Sequence, residues 1–277
     1  MRMLRAGICQ MNVVNDKKAN LQTAVALVRR AAEKGARLAV LPEMFNCPYA
    51  SEQFPEYAEP LETGPTVSFL SALAKSTSIY LAGGSIPERD AEGHIYNTAT
   101  FFAPDGRLIA RHRKMHLFDV DIPGGITFRE SETLTAGSQV TTAQTDFGTI
   151  GLAICYDLRF PELARLMVLN GASLLIYPGA FNTTTGPKHW HLLLRARAVD
   201  NQAFVLAASP AFHEAGGYPA YGHSLVVDPW GAIIAEAENS ETLLMADLDL
   251  DLIDQARAQI PVLQHRRTDC YLLKEIE

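Results

Sequence analysis

Apolar and polar positions along this chain switch repeatedly between a two-residue and a helical period. From Leu4 to Val14 the alternation is that of a strand, with Ala6, Ile8 and Gln10 on one face. Asn15-Asp16 ends it. From Asn20 to Lys34, Leu21, Ala24, Val25, Leu27, Val28, Ala31 and Ala32 recur at helical spacing, and Gly35 is placed to close that helix. The short apolar run Arg37 to Leu41 completes a βαβ unit. A second helix is expected over Thr66 to Ser76 and a third strand over Ile79 to Gly83, where Gly83-Gly84 leaves room for close backbone approach. Ile95 to Phe102 and Leu108 to Arg111, around Pro104-Asp105-Gly106, form a hairpin pattern.

The pattern then repeats. Ile150 to Ile154 is an apolar run of strand type, Phe160 to Asn170 a helix with Pro161 in its first turn, and Ser173 to Tyr177 a strand. Lys188 to Asp200 is helical and Ala203 to Ala208 extended. Ser224 to Val227 and Ile233 to Glu236 make a second hairpin, Thr242 to Ala246 a last edge strand, and Leu250 to Gln259 a short helix. Residues 101–110 and 226–235 echo one another: Pro104, Gly106, Ile109 and Ala110 match Pro229, Gly231, Ile234 and Ala235 in place. Two such copies in the same order suggest two similar half-sheets related by a pseudo-twofold axis. Phe118 to Thr135 has little periodicity and reads as a lid or binding loop. Ser209 to Gly222 is a second, aromatic and glycine-rich loop. The tail from Ile260 to Glu277 has no core of its own and is expected to pack on a neighbour, in this chain or another.

Three polar residues stand beside these elements. Glu43 comes just past the end of a buried parallel strand, where open α/β sheets place ligands, although a solvated loop glutamate fits the same position. Cys155 ends a strand just before a turn into a helix. There a side chain is held rigidly, and nearby N–H groups favour a thiolate or an oxyanion. A buried, inert cysteine is the alternative. Arg111 to His116 reads as a solvated basic turn unless one lysine turns inward. If Lys114 does, a carboxylate base, a thiol and a cation would share one rim of the sheet, a set suited to nucleophilic attack on a carbonyl carbon.

Composition narrows the classes. In 277 residues, 48% apolar and 20% charged, a sizeable core is expected in one large domain or two small ones. The net charge of −7, with scattered Lys and Arg, argues against nucleic acid or an anionic membrane surface. Apolar runs fall short of a membrane span, and the first residues lack a signal-type run, so a soluble, cytoplasmic protein is expected. Cys9, Cys47, Cys155 and Cys270 are far apart, and no paired histidines have metal-ligand spacing; neither a disulfide framework nor a metal is expected. His189 and His191, flanking Trp190, are read as structural. No GxSxG elbow, GxGxxG or P-loop is present.

Leu41-Pro42-Glu43-Met44-Phe45, Arg113-Lys114-Met115-His116-Leu117-Phe118 and Gly151 to Glu162 (GLAICYDLRFPE) resemble the three signature stretches of the nitrilase superfamily, the carbon–nitrogen hydrolases. The likeness spans essentially the whole chain. Residues 45–49, 54–59, 83–88, 177–182 and 184–187 further resemble the omega-amidase branch, which hydrolyses the terminal amide of alpha-ketoglutaramate and alpha-ketosuccinamate. The resemblance implies a single domain over 1–277 with a four-layer αββα sandwich, helices outside two mixed sheets. It implies Glu43 as general base, Lys114 as the cation stabilising the intermediate, Cys155 as nucleophile and Glu130 as the glutamate that orients the lysine. For the substrate it implies Arg159, Phe181 and Thr185, with Tyr49 a weaker candidate. It implies no cofactor, and a homodimer or larger homo-oligomer. Met44 stands where related members often have cysteine. On the residues alone, Arg159 has an alternative role, pairing with Glu162 or Asp157 to shape the turn. The competing functions are a deaminated-glutathione amidase and a catalytically silent binding or scaffold protein.

Overall fold

The computed structural model describes residues 1–124, 126–213 and 217–276. Gly125, inside the loop expected over 118–135, residues 214–216, inside that expected over 209–222, and Glu277 of the tail lie outside them.

Strand β1 (Met3–Gln10) sends Leu4, Ala6 and Ile8 to one side and Cys9 to the other, and both sides are buried. This double burial is what a parallel strand covered on both faces requires. Around it are α1 (Lys17–Glu33), β2 (Leu38–Val40), a one-turn α2 (Phe54–Tyr57), α3 (Pro65–Thr77), β3 (Tyr80–Arg89), β4 (Ile95–Phe102) and β5 (Leu108–Arg113). The Asp16 side chain caps α1 by accepting from the Ala19 N–H, and Gly35 follows its end at φ +80°. Pro65 opens α3, where its missing N–H is not needed.

The second half repeats this plan with β8 (Thr142–Thr145), β9 (Gly148–Leu152), α4 (Pro161–Leu169), β10 (Ala172–Pro178), α5 (Gly186–Asn201), β11 (Phe204–Ala208), β12 (Leu225–Val227) and β13 (Ile233–Glu236). Between the halves lie two short strands, β6 (Asp119–Asp121) and β7 (Thr127–Arg129). After them come β14 (Thr242–Asp249) and α6 (Asp251–Gln259). One six-stranded sheet runs β14-β1-β2-β3-β4-β5 and the other β13-β12-β11-β10-β9-β8. In each, parallel central pairs are flanked by antiparallel ones. Leu4, Ile8, Leu38 and Val40 of the first sheet share one apolar layer with Ile150, Leu174, Ile176 and Leu206 of the second. Helices α1 and α3 cover the outer face of the first sheet through Leu27, Val28, Leu70 and Leu73; α4 and α5 cover the second. This is the four-layer αββα sandwich.

The echo is structural. In both hairpins the register slips at the same place, between Phe101 and Phe102 and between Val226 and Val227. Both turns close on a glycine at positive φ, Gly106 at +89° and Gly231 at +82°, each donating its N–H to the carbonyl three residues earlier.

Several expectations need correction. Strand β3 does not stop at Gly83 but bulges there and runs on to Arg89. A side chain on Gly84 would lie 2.2 Å from the Pro42 carbonyl, so the close approach falls beside Glu43. The loop over 118–135 contains the β6–β7 hairpin and a 3-10 turn at Glu130–Glu132. Strand β8 was not anticipated, because Thr142-Ala143-Gln144-Thr145 is too polar to show the period. Strand β14 is an edge, but of the first sheet: it pairs with β1 over its full length and so ties the end of the chain to its beginning. The tail lies against the ends of α4 and α5, with Asn170 donating to Glu275 and Gln202 to the Ile260 carbonyl. Among the described residues no helix is long and apolar enough to cross a membrane.

Candidate active site

The ends of β2, β5, β9 and β10 meet at one place. Glu43, past β2, is fully buried, and its chain is held by β3: Met44 donates to the Ser85 hydroxyl at 3.0 Å and Phe45 to the Ser85 carbonyl at 3.3 Å. Lys114, directly after β5, is also fully buried, with its N–H on the Asn97 carbonyl at 2.8 Å and its carbonyl accepting from Gly137 at 2.8 Å. The lysine has therefore turned inward out of the basic stretch. Alternation along β5 puts His112 on the same inner side.

The Lys114 ammonium donates to Glu130 Oε1 at 2.8 Å and Glu43 Oε1 at 3.1 Å. Glu43 Oε1 also accepts from the Asn97 amide at 2.8 Å, and its Oε2 from the Ala180 N–H, past β10, at 2.8 Å. Glu130 Oε2 takes the Phe118 N–H at 2.7 Å. Tyr49, implied as a substrate contact, has its hydroxyl on Glu130 Oε1 at 2.8 Å and 3.3 Å from Glu43 Oε1. It is thus built into the charged cluster, and the hydroxyl has no donor left for a substrate.

Cys155 opens a 3-10 turn over Cys155–Arg159 at φ +44°, a conformation few side chains adopt and one typical of strained functional positions. Asp157 holds the turn: its carboxylate accepts the Ile154 N–H at 3.0 Å. Gly179, just after β10, lets the Trp190 ring pack close, since a side chain there would lie 3.1 Å from it. The thiol faces the Glu43 carboxylate and the Ala180 N–H.

The electrostatics follow from burial. Dehydration pushes the Glu43 carboxyl above its ordinary value, with Lys114 opposing and Glu130 adding to the shift. Dehydration also works against a charge on Lys114, but Glu130 and Glu43 outweigh it and hold the lysine well above its usual pKa. Burial, then the charge on Glu43, pushes the Cys155 thiol up despite Lys114. A thiol held up in this way becomes a nucleophile only with a base in contact, and the carboxylate nearest to it is Glu43.

From Cys155 a narrow cavity extends between Tyr156, Phe118, Phe181 and Tyr218 to Arg159 and Thr185. The Arg159 side chain is half-buried, and that burial holds its guanidinium below its usual pKa. It lies over the Phe181 ring at 4.8 Å and touches His189 Nδ1 at 3.1 Å. Neither Glu162 nor Asp157 pairs with it, and it has no carboxylate partner among the described residues. His189, expected to be structural, is thus the polar neighbour of this cation. Thr185 is held by Asn182, which accepts its N–H at 2.9 Å. The Asn182 amide nitrogen lies buried beside Tyr218 without a well-formed hydrogen bond.

The residues that sequence reasoning missed are partners. Asp157 accepts from both His112 Nε2 at 2.9 Å and His116, through its N–H at 3.0 Å and its ring at 2.7 Å. Although burial opposes its charge, these bonds hold its carboxyl far below the ordinary range. One buried carboxylate thus joins the cysteine turn to the strand that delivers Lys114. The signal was the alternation His112-Arg113-Lys114, which sets both side chains on one face. Asn97 and Tyr218 gave no comparable sign.

The carbon-nitrogen hydrolase family matches residues 5–258. The chain is 51% identical to omega-amidase NIT2 of Mus musculus over 99% of both chains. It is 49% identical to the chloroplastic omega-amidase of Arabidopsis thaliana, over 98% of this chain and 74% of that one. The crystal structure of Saccharomyces cerevisiae Nit3, a member of branch 10 of the nitrilase superfamily, superposes with a TM-score of 0.89 at 46% identity, covering 96% of this chain and 97% of that one. The chain belongs to the carbon-nitrogen hydrolase family, and the fold and the likeness to the nitrilase superfamily agree. It is a hydrolase of amide carbon–nitrogen bonds.

Proposed function

We propose that the protein is an omega-amidase, hydrolysing the terminal amide of short keto acids such as alpha-ketoglutaramate and alpha-ketosuccinamate to the dicarboxylic keto acid and ammonia. The observation that carries this reading is Arg159, a half-buried guanidinium with no carboxylate partner among the described residues, in the same cavity as Cys155. A guanidinium left unmatched in a buried place favours a ligand carboxylate, which it binds through two parallel N–H donors. The relatives named omega-amidase support it.

The mechanism that fits has two halves. Glu43 takes the Cys155 proton as the sulfur attacks the amide carbon. The oxyanion forms beside Lys114, which Glu130 and Tyr49 hold in place. Glu43 returns the proton to the amide nitrogen, the C–N bond breaks, and ammonia leaves a thioester on Cys155. Glu43 then takes a proton from water, the hydroxyl adds to the thioester carbon, and the C–S bond breaks to give the acid and the thiol. The test is ammonia release from alpha-ketoglutaramate, deaminated glutathione and a simple nitrile side by side. Alpha-ketoglutaramate should give the highest kcat/KM. A preference for deaminated glutathione would overturn the substrate assignment, and no turnover of any of them would overturn the enzyme reading.

A further inference from the structure

His191 on α5, His223 before β12 and Glu236 at the end of β13 converge behind the second sheet, away from Cys155. Glu236 Oε1 is 2.6 Å from His191 Nε2 and 3.2 Å from His223 Nδ1, and the three candidate ligand atoms lie within 4.8 Å of one another. The side chains are 27–36% exposed, so the cluster is built into the fold yet open to solvent on one side.

Its parts are firmly held. His223 sits at φ +55°, a costly conformation for a residue with a side chain, and is kept there from both ends. Its N–H donates to the Glu238 carbonyl at 3.1 Å, and its carbonyl accepts from the Trp190 indole at 2.7 Å. The ring stacks on Tyr221 at 4.2 Å. His191 follows Trp190 on a sixteen-residue helix, and Glu236 is paired with Leu225 across the hairpin. A helix, a strand end and a loop residue pinned by its backbone therefore each present one donor to the same point.

We propose that His191, His223 and Glu236 form a binding site for one divalent transition cation such as Zn²⁺, with water completing the coordination. Two imidazoles and one carboxylate suit zinc, cobalt, nickel or copper and do not suit calcium or magnesium, which take oxygen ligands. Ligand bonds of about 2.0–2.2 Å in a tetrahedron need donor atoms somewhat over 3 Å apart. The His191–Glu236 contact opens that far by a small rotation of the part-exposed carboxylate. The site left no mark in the sequence pattern, because the donors come from three separate stretches. The site lies behind the Arg159 end of the cavity: Trp190, which bonds to His223, packs on Phe181 at 4.9 Å.

The experiment uses the full, untagged chain with Cys155→Ala and Cys270→Ser, which removes the pocket thiol and the exposed thiol as competing ligands; Cys9 and Cys47 are buried. Zinc binding is followed by equilibrium dialysis, and cobalt(II) binding by its visible spectrum. The expected result is one equivalent per chain, cobalt bands of nitrogen and oxygen ligation, and about tenfold or greater weakening by His191→Ala and by Glu236→Gln. Metal-free melting temperatures of both variants should match the parent, which separates lost ligands from lost fold. Absence of saturable binding in the parent, or equal affinity in both variants, would overturn the proposal.

Discussion

The two ends of the cavity treat charge in opposite ways. At the Cys155 end, Lys114 has two carboxylates within 3.1 Å, and Glu43 has every oxygen engaged. At the other end Arg159 is half-buried, yet its polar contact is the neutral-type acceptor His189. Matched charges keep their geometry whether or not substrate is present, so the reactive end is preorganised, which is where most electrostatic catalysis comes from. An unmatched cation is complete only when a ligand brings an anion. On the proposed function, chemistry and selection are separable: the Cys155 end would act on any amide that reaches it, and the Arg159 end would decide which amides stay.

The comparison can be broken most severely at the nucleophile. Cys155→Ala should remove turnover on every amide and leave the melting temperature nearly unchanged. Residual activity above about a tenth of wild type, measured by ammonia release, would contradict a covalent thiol step. Lys114→Met keeps the stem and removes the charge. It should lower kcat by about 10²–10³ for charged and neutral amides alike, as loss of one oxyanion donor does. If only KM changes, the lysine binds and does not stabilise.

Asp157→Asn probes the support behind the reactive end. Leaving His112 and His116 without a buried carboxylate should cost about 3–5 kcal/mol of stability, read from urea unfolding. The sign follows from its lowered pKa. The contribution is whole at neutral pH and is lost only as pH falls below the unfolded value of about 3.9 towards the lower folded one. The pH profile sharpens the comparison further. Glu43 must be ionised to act as base, and burial raises its pKa, so kcat/KM should fall on acidification at a higher pH than an ordinary carboxylate near 4.3 would give. Lys114 is raised, so its charge should persist beyond pH 10. A limb in the ordinary carboxylate range would remove Glu43 from the role. The smallest effect belongs to Cys270→Ser at the exposed tail, which should leave kcat and KM unchanged.

Much of this was readable in the chain. Buried parallel strands appear as apolar runs, and Glu43 and Cys155 follow their ends directly, so each was legible as a strand-end residue. The expected single rim was wrong, because the two strands belong to different sheets and the residues meet across the sandwich. The repeated turn around Gly106 and Gly231 revealed the two halves. What stayed hidden depends on contacts between distant stretches. Nothing local says that Asp157 will bind His112 and His116 rather than Arg159, that Tyr49 will spend its hydroxyl on carboxylates, or that β14 will cross back to β1. The β6–β7 hairpin was obscured because its strands are three residues each, too short to show a period.

The most direct test of the two-ended account is kcat/KM of Arg159→Met on alpha-ketoglutaramate and on a neutral primary amide of similar length. Loss of a buried arginine–carboxylate contact costs about 2–5 kcal/mol, so the keto acid should lose at least tenfold while the neutral amide changes little, and Arg159→Lys should recover only part of the loss. An equal fall for both substrates would make Arg159 a scaffold residue and contradict the separation of selection from chemistry.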